Sequence, residues 1–182
     1  MDAMPTLTTE RLTLRGFSAG DAPALQTLVS DRRIAATTLN IPHPYPDDGA
    51  LQHILGDQER RARGESFNFA IIRRADGALL GGIGLFPQPP QQAELGYWVG
   101  VPHWGQGYAS EAARRVVAFG FGALGLNRVY AICFSGNLAS ARVMQKAGMT
   151  YEGTMRGHIL KWGEYVDLVC YGVLRSDDRG QG

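Results

Sequence analysis

The chain has 182 residues, of which 45% are hydrophobic and 19% are charged, and its formal net charge is +1. This composition is ordinary for one globular domain with a sizeable core. Because Lys and Arg are spread along the chain without the basic stripe that a duplex-binding surface needs, no direct binding of nucleic acid is expected.

Targeting signals and metal sites are not expected either. The four histidines are scattered and show no Cys/His spacing of a metal site. Cys133 and Cys170 lie in apolar segments, which predicts buried thiols in a reducing compartment. The N-terminus lacks a basic region followed by an apolar one, and the longest apolar stretch, 116–126, is far shorter than the ~20 residues of a membrane span. The sequence predicts a cytoplasmic protein.

The first half of the chain predicts a strand, two helices and a three-strand meander. Residues 11–17 alternate between apolar and polar, as in a strand, and Ser18 caps a helix that ends near 29. A loop with three prolines at 40–46 separates this helix from a second one that opens at 47–48 and ends near 64. Strands follow at 67–74, 78–86 and 93–99.

The second half continues with a glycine-rich bend at 100–107 and a helix that ends near 124. A strand at 128–134 precedes a helix that is capped by Asn137 and stops at Gly148. Strands at 150–157 and about 165–174 form a final hairpin, and 175–182 is a loose polar tail. We therefore expect one domain over 1–182, with a core at 11–174 that is an α/β mixed sheet of about seven strands flanked by helices.

The bend after the fourth predicted strand is suited to binding phosphate. The first N–H groups of a helix have no intrahelical partners and lie at its positive end. Gly105 and Gly107 lack a Cβ, so a pyrophosphate can approach their backbone closely. A tight turn without a ligand is the alternative. The segment is neither a Walker P-loop, since no Gly-Lys-Ser/Thr follows, nor the dinucleotide fingerprint.

A second motif lies thirty residues further on, where Asn137, Ser140 and Gly148 form an Asn-x-x-Ser…Gly pattern. With the run that begins Glu94-Leu-Gly-Tyr-Trp-Val and the stretch that begins at Trp104, this pattern resembles the GNAT acetyltransferase superfamily. Within it, the chain is similar to the RimJ/RimL-like branch of N-terminal and related amine acetyltransferases. The resemblance extends over about 11–174 and is strongest from 94 to 153.

The resemblance implies how acetyl-CoA is bound. The strands at 93–99 and 128–134, the fourth and fifth, would splay apart and receive pantetheine between them, while the amides at 106–110 hold the diphosphate. Asn137 would hydrogen-bond the pantetheine arm, although a helix cap without a ligand explains it equally well. The implied cofactor-binding residues are Trp98, Val99, Trp104, Gly105, Gln106, Gly107, Tyr108, Ala109, Ser110, Asn137 and Ser140.

The expected reaction is direct attack of a neutral amine on the acetyl thioester, with strand N–H groups near Trp98 and Val99 stabilising the oxyanion. Glu94 is the first candidate for the base, because burial in an apolar strand would raise its pKa. A solvent-facing carboxylate is the alternative. Ser140 is the candidate proton donor to the thiolate, or else a second capping hydroxyl. His158 is a candidate base through a water, unless it is an ordinary surface histidine.

Two residues of the proline-rich loop, His43 and Tyr45, are candidates to bind the acceptor together with His158. Two positions depart from the superfamily pattern. Trp104 replaces the usual Arg or Gln, as is common in this branch. Met144 stands where many members have a tyrosine general acid, and a thioether cannot donate a proton.

The sequence thus predicts an enzyme that transfers an acetyl group from acetyl-CoA to a primary amine, with a peptide or protein N-terminus as the first candidate acceptor. A small-molecule amine is the second candidate. A catalytically silent acetyl-CoA sensor is the third alternative, with Met144 in its favour. No metal, nucleic acid or membrane is expected to take part, and a homodimer is compatible with the resemblance.

Overall fold

The computed structural model describes residues 4–178. Its centre is one open sheet of eight strands in the order β1-β2-β3-β4-β5-β6-β8-β7. Neighbouring strands are antiparallel except β5 and β6, which are parallel. The strands are β1 (Leu7–Thr8), β2 (Leu12–Arg15), β3 (Phe67–Arg73), β4 (Leu79–Gln88), β5 (Gln92–Val99), β6 (Arg128–Phe134), β7 (Thr150–Lys161) and β8 (Glu164–Leu174).

The expected α/β mixed sheet is confirmed, and its strand number is eight where about seven were predicted. The additional strand is β1, a two-residue segment that pairs with β2 through Leu7 and Leu14. A strand of two residues has no alternation of its own, so the sequence pattern does not show it.

Six helices accompany the sheet within residues 4–178. They are α1 (Ala22–Val29), α2 (Arg32–Thr37), α3 (Gly49–Ala62), α4 (Tyr108–Gly122), α5 (Leu138–Lys146) and α6 (Arg175–Asp178). A 3₁₀ turn at Ala19–Asp21 precedes α1, and there the N–H of Ser18 donates to the Asp21 carboxylate at 2.8 Å. Of the segment predicted as a loose tail, 175–178 is helical, and 179–182 lies outside the described residues. Residues 1–3, where a targeting signal was sought, lie outside them too.

The core has two parts, one on each face of the sheet. On one face α4 buries Val116 and Phe119 against the sheet, in a cluster that also contains Leu85 and Leu95. On the other face α1 and α3 form a smaller cluster around Leu25. None of the described helices is both long and apolar enough to cross a bilayer.

The two parallel strands separate soon after they meet. Only three residue pairs join β5 to β6, and the last of them is Glu94 with Tyr130. Beyond this pair β6 remains bonded to β8 as far as Phe134, while β5 stays bonded to β4 as far as Val99. The splay that was expected between these two strands is therefore present, and it opens a gap inside the sheet.

The close pairing of β4 with β5 depends on a glycine. A Cβ at Gly81 would collide with the carbonyl oxygen of Trp98 and lie 2.8 Å from the Cα of Val99. We expect Gly81→Ala to lower the free energy of unfolding by about 1 to 3 kcal/mol, because backbone atoms cannot yield as a side chain can. Urea denaturation measures the change.

The same substitution at Gly122 is the control. Gly122 is exposed at the end of α4, and a Cβ there meets no atom within 4 Å. Gly122→Ala should leave stability unchanged or raise it slightly, because Ala is the better helix former. Equal stability of the two variants would contradict the tight pairing of β4 with β5.

Candidate functional site

The bend before α4 depends on two glycines in left-handed backbone conformation. Gly105 has a φ of 75°, and Gly107, the N-cap of α4, has a φ of 82°. Residues with a Cβ rarely adopt such angles. The bend therefore takes a path that the sequence allows only because glycine stands at both positions.

Within residues 4–178 the N–H groups of this bend have no hydrogen-bond partners. Among the described residues, no N–H from Gly105 to Ser110 donates to a backbone carbonyl, and the first that does so is that of Glu111, which donates to Gly107 O at 3.1 Å. These donors lie at the positive end of a 15-residue helix. A row of unpaired N–H groups in this position is a site for phosphate, and we call residues 105–110 the cradle.

A residue from the other end of the chain holds the cradle in shape. The guanidinium of Arg11 donates to Gln106 O at 3.0 Å and to the Glu111 carboxylate at 2.7 Å, and it lies 4.7 Å from the centre of the Tyr108 ring. Burial alone would raise the pKa of Glu111, but hydrogen bonds from Thr9 and Arg11 lower it. The carboxylate is therefore ionised and fixes the first turn of α4.

A cleft of about 340 Å³ leads from the cradle into the gap between β5 and β6. The predicted cofactor-binding residues that line it are Trp98, Val99, Trp104, Gly105, Gly107, Tyr108, Ala109, Ser110, Asn137 and Ser140. Gln106 belongs to the same bend, although its side chain turns away and donates to Pro102 O at 3.2 Å. We call this space the donor cleft.

The orientation of β5 decides which backbone groups face the gap. The N–H of Gly100 donates to Leu80 O of β4 at 2.8 Å. Since the groups alternate along a strand, those of Trp98 also point towards β4, whereas those of Tyr97 and Val99 point into the gap. Trp98 therefore offers only its side chain to the donor cleft, and the main-chain groups that face the gap are those of Tyr97 and Val99.

The side chain of Trp104 contacts one of these exposed groups. Its indole N–H donates to Val99 O at 2.6 Å, and the side chain remains 43% exposed. A carbonyl oxygen has two lone pairs, so Val99 O retains one for a second donor. Trp104 therefore lines the donor cleft without removing its acceptor.

Asn137 has protein partners on both sides of its amide. Its Oδ1 accepts from the N–H of Ser140 at 3.1 Å, which is the expected cap of α5. Its Nδ2 donates to Thr37 O at 3.3 Å. The capping role is thus visible, and the contact with pantetheine stays a prediction.

Sequence reasoning missed a close pair of hydroxyl groups at the inner end of the donor cleft. Tyr97 Oη lies 2.7 Å from Ser140 Oγ and donates to Ser140 O at 2.9 Å. Burial raises the pKa of Tyr97, so its hydroxyl stays protonated. The orientation of Tyr97 depends on which way β5 faces, and its own sequence neighbours do not indicate a partner on α5.

A second cavity, of about 480 Å³, lies beyond the gap and is called the acceptor cavity. The two spaces share five residues, Thr37, Thr38, Tyr97, Trp98 and Ser140. They therefore meet at the gap, so that one ligand can reach the other through the sheet.

Glu94 is the one carboxylate among the described residues that line the acceptor cavity. Its side chain is half-buried, and burial raises its pKa. Tyr45 lines the same cavity, and burial raises its pKa as well. His43 and His158 are exposed and line neither space, so their predicted roles gain no support.

The structure explains the departure from pattern at Met144. This side chain is 1% exposed and belongs to the core under α5. It lines neither the donor cleft nor the acceptor cavity. Met144 cannot donate a proton at this end of the site, and Ser140 on the same helix stays the predicted donor.

Comparisons with known proteins agree with this geometry. The family model of the acetyltransferase (GNAT) domain matches residues 11–150. An uncharacterized N-acetyltransferase, p20 of Bacillus licheniformis, is 32% identical over 180 residues, which are 97% of this chain and 100% of the relative.

Solved structures share the fold. A GNAT-family acetyltransferase from Bacillus anthracis superposes with a TM-score of 0.85 at 26% identity, covering 94% of this chain and 99% of that one. RimL, a ribosomal L7/L12 α-N-protein acetyltransferase in complex with coenzyme A, gives a TM-score of 0.84 at 21% identity, with coverage of 95% and 98%.

The cradle predicts how a substitution changes binding of acetyl-CoA. Gly107→Val should weaken it on the order of a hundredfold, because a branched side chain displaces the N–H groups from the phosphates. Isothermal titration calorimetry measures the dissociation constant.

Gly77→Val is the control for backbone strain. Gly77 has a φ of 72° in the turn between β3 and β4, and a Cβ there meets no atom within 4 Å. This variant should bind acetyl-CoA as the parent does. The same dissociation constant in both variants would remove the cradle from the binding site.

Proposed function

This chain belongs to the acetyltransferase (GNAT) family of acetyl-CoA-dependent N-acetyltransferases, and we propose that its acceptor is the α-amine at the end of a peptide or protein. The observation that carries the proposal is the position of Glu94. Among the described residues it is the single carboxylate that lines the acceptor cavity, and burial raises its pKa.

A weak base of this kind suits an α-amine. With a pKa near 8, roughly a tenth of an α-amine is neutral at pH 7, whereas a lysine with a pKa near 10.4 is neutral in well under a thousandth of molecules. A weak base is therefore sufficient to deprotonate an α-amine. A half-buried carboxylate whose pKa lies above its ordinary value is a better proton acceptor near neutral pH than a solvated one.

The donor side supplies main-chain groups. The unpaired N–H groups of the cradle fit the diphosphate of acetyl-CoA, and the backbone of Tyr97 and Val99 offers the pantetheine arm the partners of a missing strand. Acetyl-CoA, when bound, supplies the activated acetyl thioester. An N–H of β5 that faces the gap stabilises negative charge on the acyl oxygen.

Two side chains handle the protons. Glu94 accepts a proton from the amine in the acceptor cavity. Ser140 donates its hydroxyl proton to the departing sulfur and takes up the proton that the attacking nitrogen loses, so that no alkoxide remains. Tyr97 Oη lies 2.7 Å from the Ser140 hydroxyl. Cys133 needs no part in the reaction, because burial raises the pKa of its thiol and keeps it a poor nucleophile.

The size of the acceptor cavity supports a second candidate. A volume of about 480 Å³ is that of a pocket for a small ligand, so a free primary amine of low molecular weight would fit as well as the first residues of a peptide. Membership of an acetyltransferase family and the presence of Glu94 in the acceptor cavity both favour an enzyme over a catalytically silent sensor. A homodimer and a cytoplasmic location stay predictions.

A pair of peptides tests the acceptor. One has a free N-terminus and no lysine, and the other has a blocked N-terminus and a single lysine in the same sequence. Release of coenzyme A thiol should be faster by at least about tenfold with the first peptide. A faster reaction with the second peptide would overturn the α-amine proposal, and turnover of small amines alone would favour the second candidate.

Replacing the base should change the pH dependence. Glu94→Gln should lower kcat by a factor of about 10² to 10⁴ without weakening acetyl-CoA binding. In the parent enzyme, kcat/KM should fall as the pH drops through the raised pKa of Glu94, because the base becomes protonated. The variant should lose this limb and keep only the fall below about pH 8 that protonation of the α-amine causes in both enzymes.

Glu164→Gln is the matched control, since Glu164 is exposed at the start of β8. Its profile should equal that of the parent. If Glu94→Gln retains the acidic limb, the base lies elsewhere. A His158→Gln variant then shows whether the exposed histidine provides it.

Two substitutions at the gap distinguish the residue that donates the proton from the residue that orients the donor. Ser140→Ala should lower kcat by at least about tenfold with acetyl-CoA affinity maintained. Tyr97→Phe retains the Ser140 hydroxyl but removes the group that orients it, so its effect on kcat should be smaller. Steady-state kinetics beside calorimetry measures both, and a kcat of Ser140→Ala equal to that of the parent would exclude Ser140 as the proton donor.

A further inference from the structure

The floor of the acceptor cavity is formed by one face of the sheet that is rich in glycine. Gly84 of β4 pairs with Gly96 of β5, and Gly82 pairs with Trp98 two positions along. Asn68 of β3 lies on the other side of Gly84. Paired residues of neighbouring strands project on the same side of a sheet. The three glycines therefore form one patch, and two of them, Gly82 and Gly96, line the acceptor cavity.

Two of these glycines make room for an aromatic side chain that lies on the sheet. A Cβ at Gly96 would lie 3.0 Å from the Phe86 ring. A Cβ at Gly82 would lie 3.0 Å from the Trp98 indole and 3.1 Å from the Phe17 ring. The surface that a ligand meets there is consequently made of rings.

The third glycine, Gly84, accommodates a polar side chain, that of Asn68. A Cβ at Gly84 would collide with the side-chain oxygen of Asn68. The amide nitrogen of Asn68 donates to Asp57, a buried carboxylate that also accepts from Ser66. The Asn68 amide is therefore held in place over Gly84 and adds a fixed polar group to the lining of the cavity.

Charged groups are few in this cavity. Glu94 is its acidic residue, and the basic side chains among the described residues that line it are those of Arg60 and His53. Arg60 lies 3.6 Å from the Asp57 carboxylate, and burial lowers the pKa of His53, which favours its neutral form. Of the several positive charges of a polyamine, Glu94 can pair with one, and the others would be desolvated without a partner. A polyamine therefore fits this surface poorly.

We propose that the acceptor carries an aromatic or branched apolar group beside its amine, and that this group packs on the floor formed by Phe17, Phe86 and Trp98. The inference rests on the proposed function and specifies its substrate class. For a peptide it means an apolar first residue, and for a small molecule an arylalkylamine. Rings in contact prefer offset or edge-on arrangements, so a flat group gains more than a linear chain of similar size.

Binding can be measured without catalysis. Calorimetry of the protein saturated with coenzyme A compares phenethylamine, butylamine and spermidine. Phenethylamine should bind at least about tenfold more tightly than butylamine, and spermidine should bind no better than butylamine. Equal affinities, or tightest binding of spermidine, would overturn the inference.

Turnover of peptides is the second measurement. Peptides that begin with Phe, Leu, Ser or Asp and are otherwise identical should show kcat/KM values at least about tenfold higher for Phe and Leu than for Ser and Asp. A flat or reversed order overturns the apolar class while acetylation of α-amines stands. Rapid reaction of a lysine side chain with no reaction of any N-terminus overturns the proposed function, whatever the calorimetry of amines gives.

A substitution at Phe86 tests whether this ring causes the preference for aromatic amines. Phe86→Leu keeps an apolar side chain and removes the ring, so affinity for phenethylamine should fall towards that for butylamine. Phe67→Leu is the matched control, because Phe67 packs against Phe119 on the opposite face of the sheet. If both variants retain the parent's ratio of the two affinities, the ring of Phe86 does not select the acceptor.

Discussion

The separation of β5 from β6 after three residue pairs is the constraint on which the site depends. It exposes main-chain groups of Tyr97 and Val99 inside the sheet, where unpaired polar groups are costly unless a ligand completes them. The same gap joins the donor cleft to the acceptor cavity. A fully paired β5 and β6 would satisfy the backbone and close the gap at which the two spaces meet.

The high glycine content serves this arrangement in two different ways. At Gly105 and Gly107 the backbone adopts positive φ, and the N–H groups of this bend find no carbonyl partner among the described residues. At Gly82 and Gly96 the backbone is ordinary strand, and the missing side chain leaves space for a ring. The first use creates a site for negative charge, and the second creates an apolar surface. Glycine therefore shapes both the cradle and the acceptor cavity.

The sequence predicted what depends on local chemistry. The cradle, the cap at Asn137 and seven of the strands follow from glycine, Asn and alternation within a few residues. Contacts between distant segments were not predictable, because Arg11 reaches Glu111 across a hundred positions. The direction in which Trp98 and Tyr97 face depends on the pairing of β4 with β5. The helix α2, with six residues, is too short to show a helical period.

The geometry of Asn137 removes the conflict between its two interpretations. The cap uses Oδ1, which accepts from Ser140, whereas Nδ2 carries two hydrogens, of which Thr37 O takes one. Lys161 holds the next carbonyl, that of Thr38, at 2.8 Å. The end of α2 is thus fixed over the meeting place of both spaces by residues from two other segments. Because the cap and the remaining N–H use different atoms, Asn137 can position Ser140 and contact a ligand at the same time.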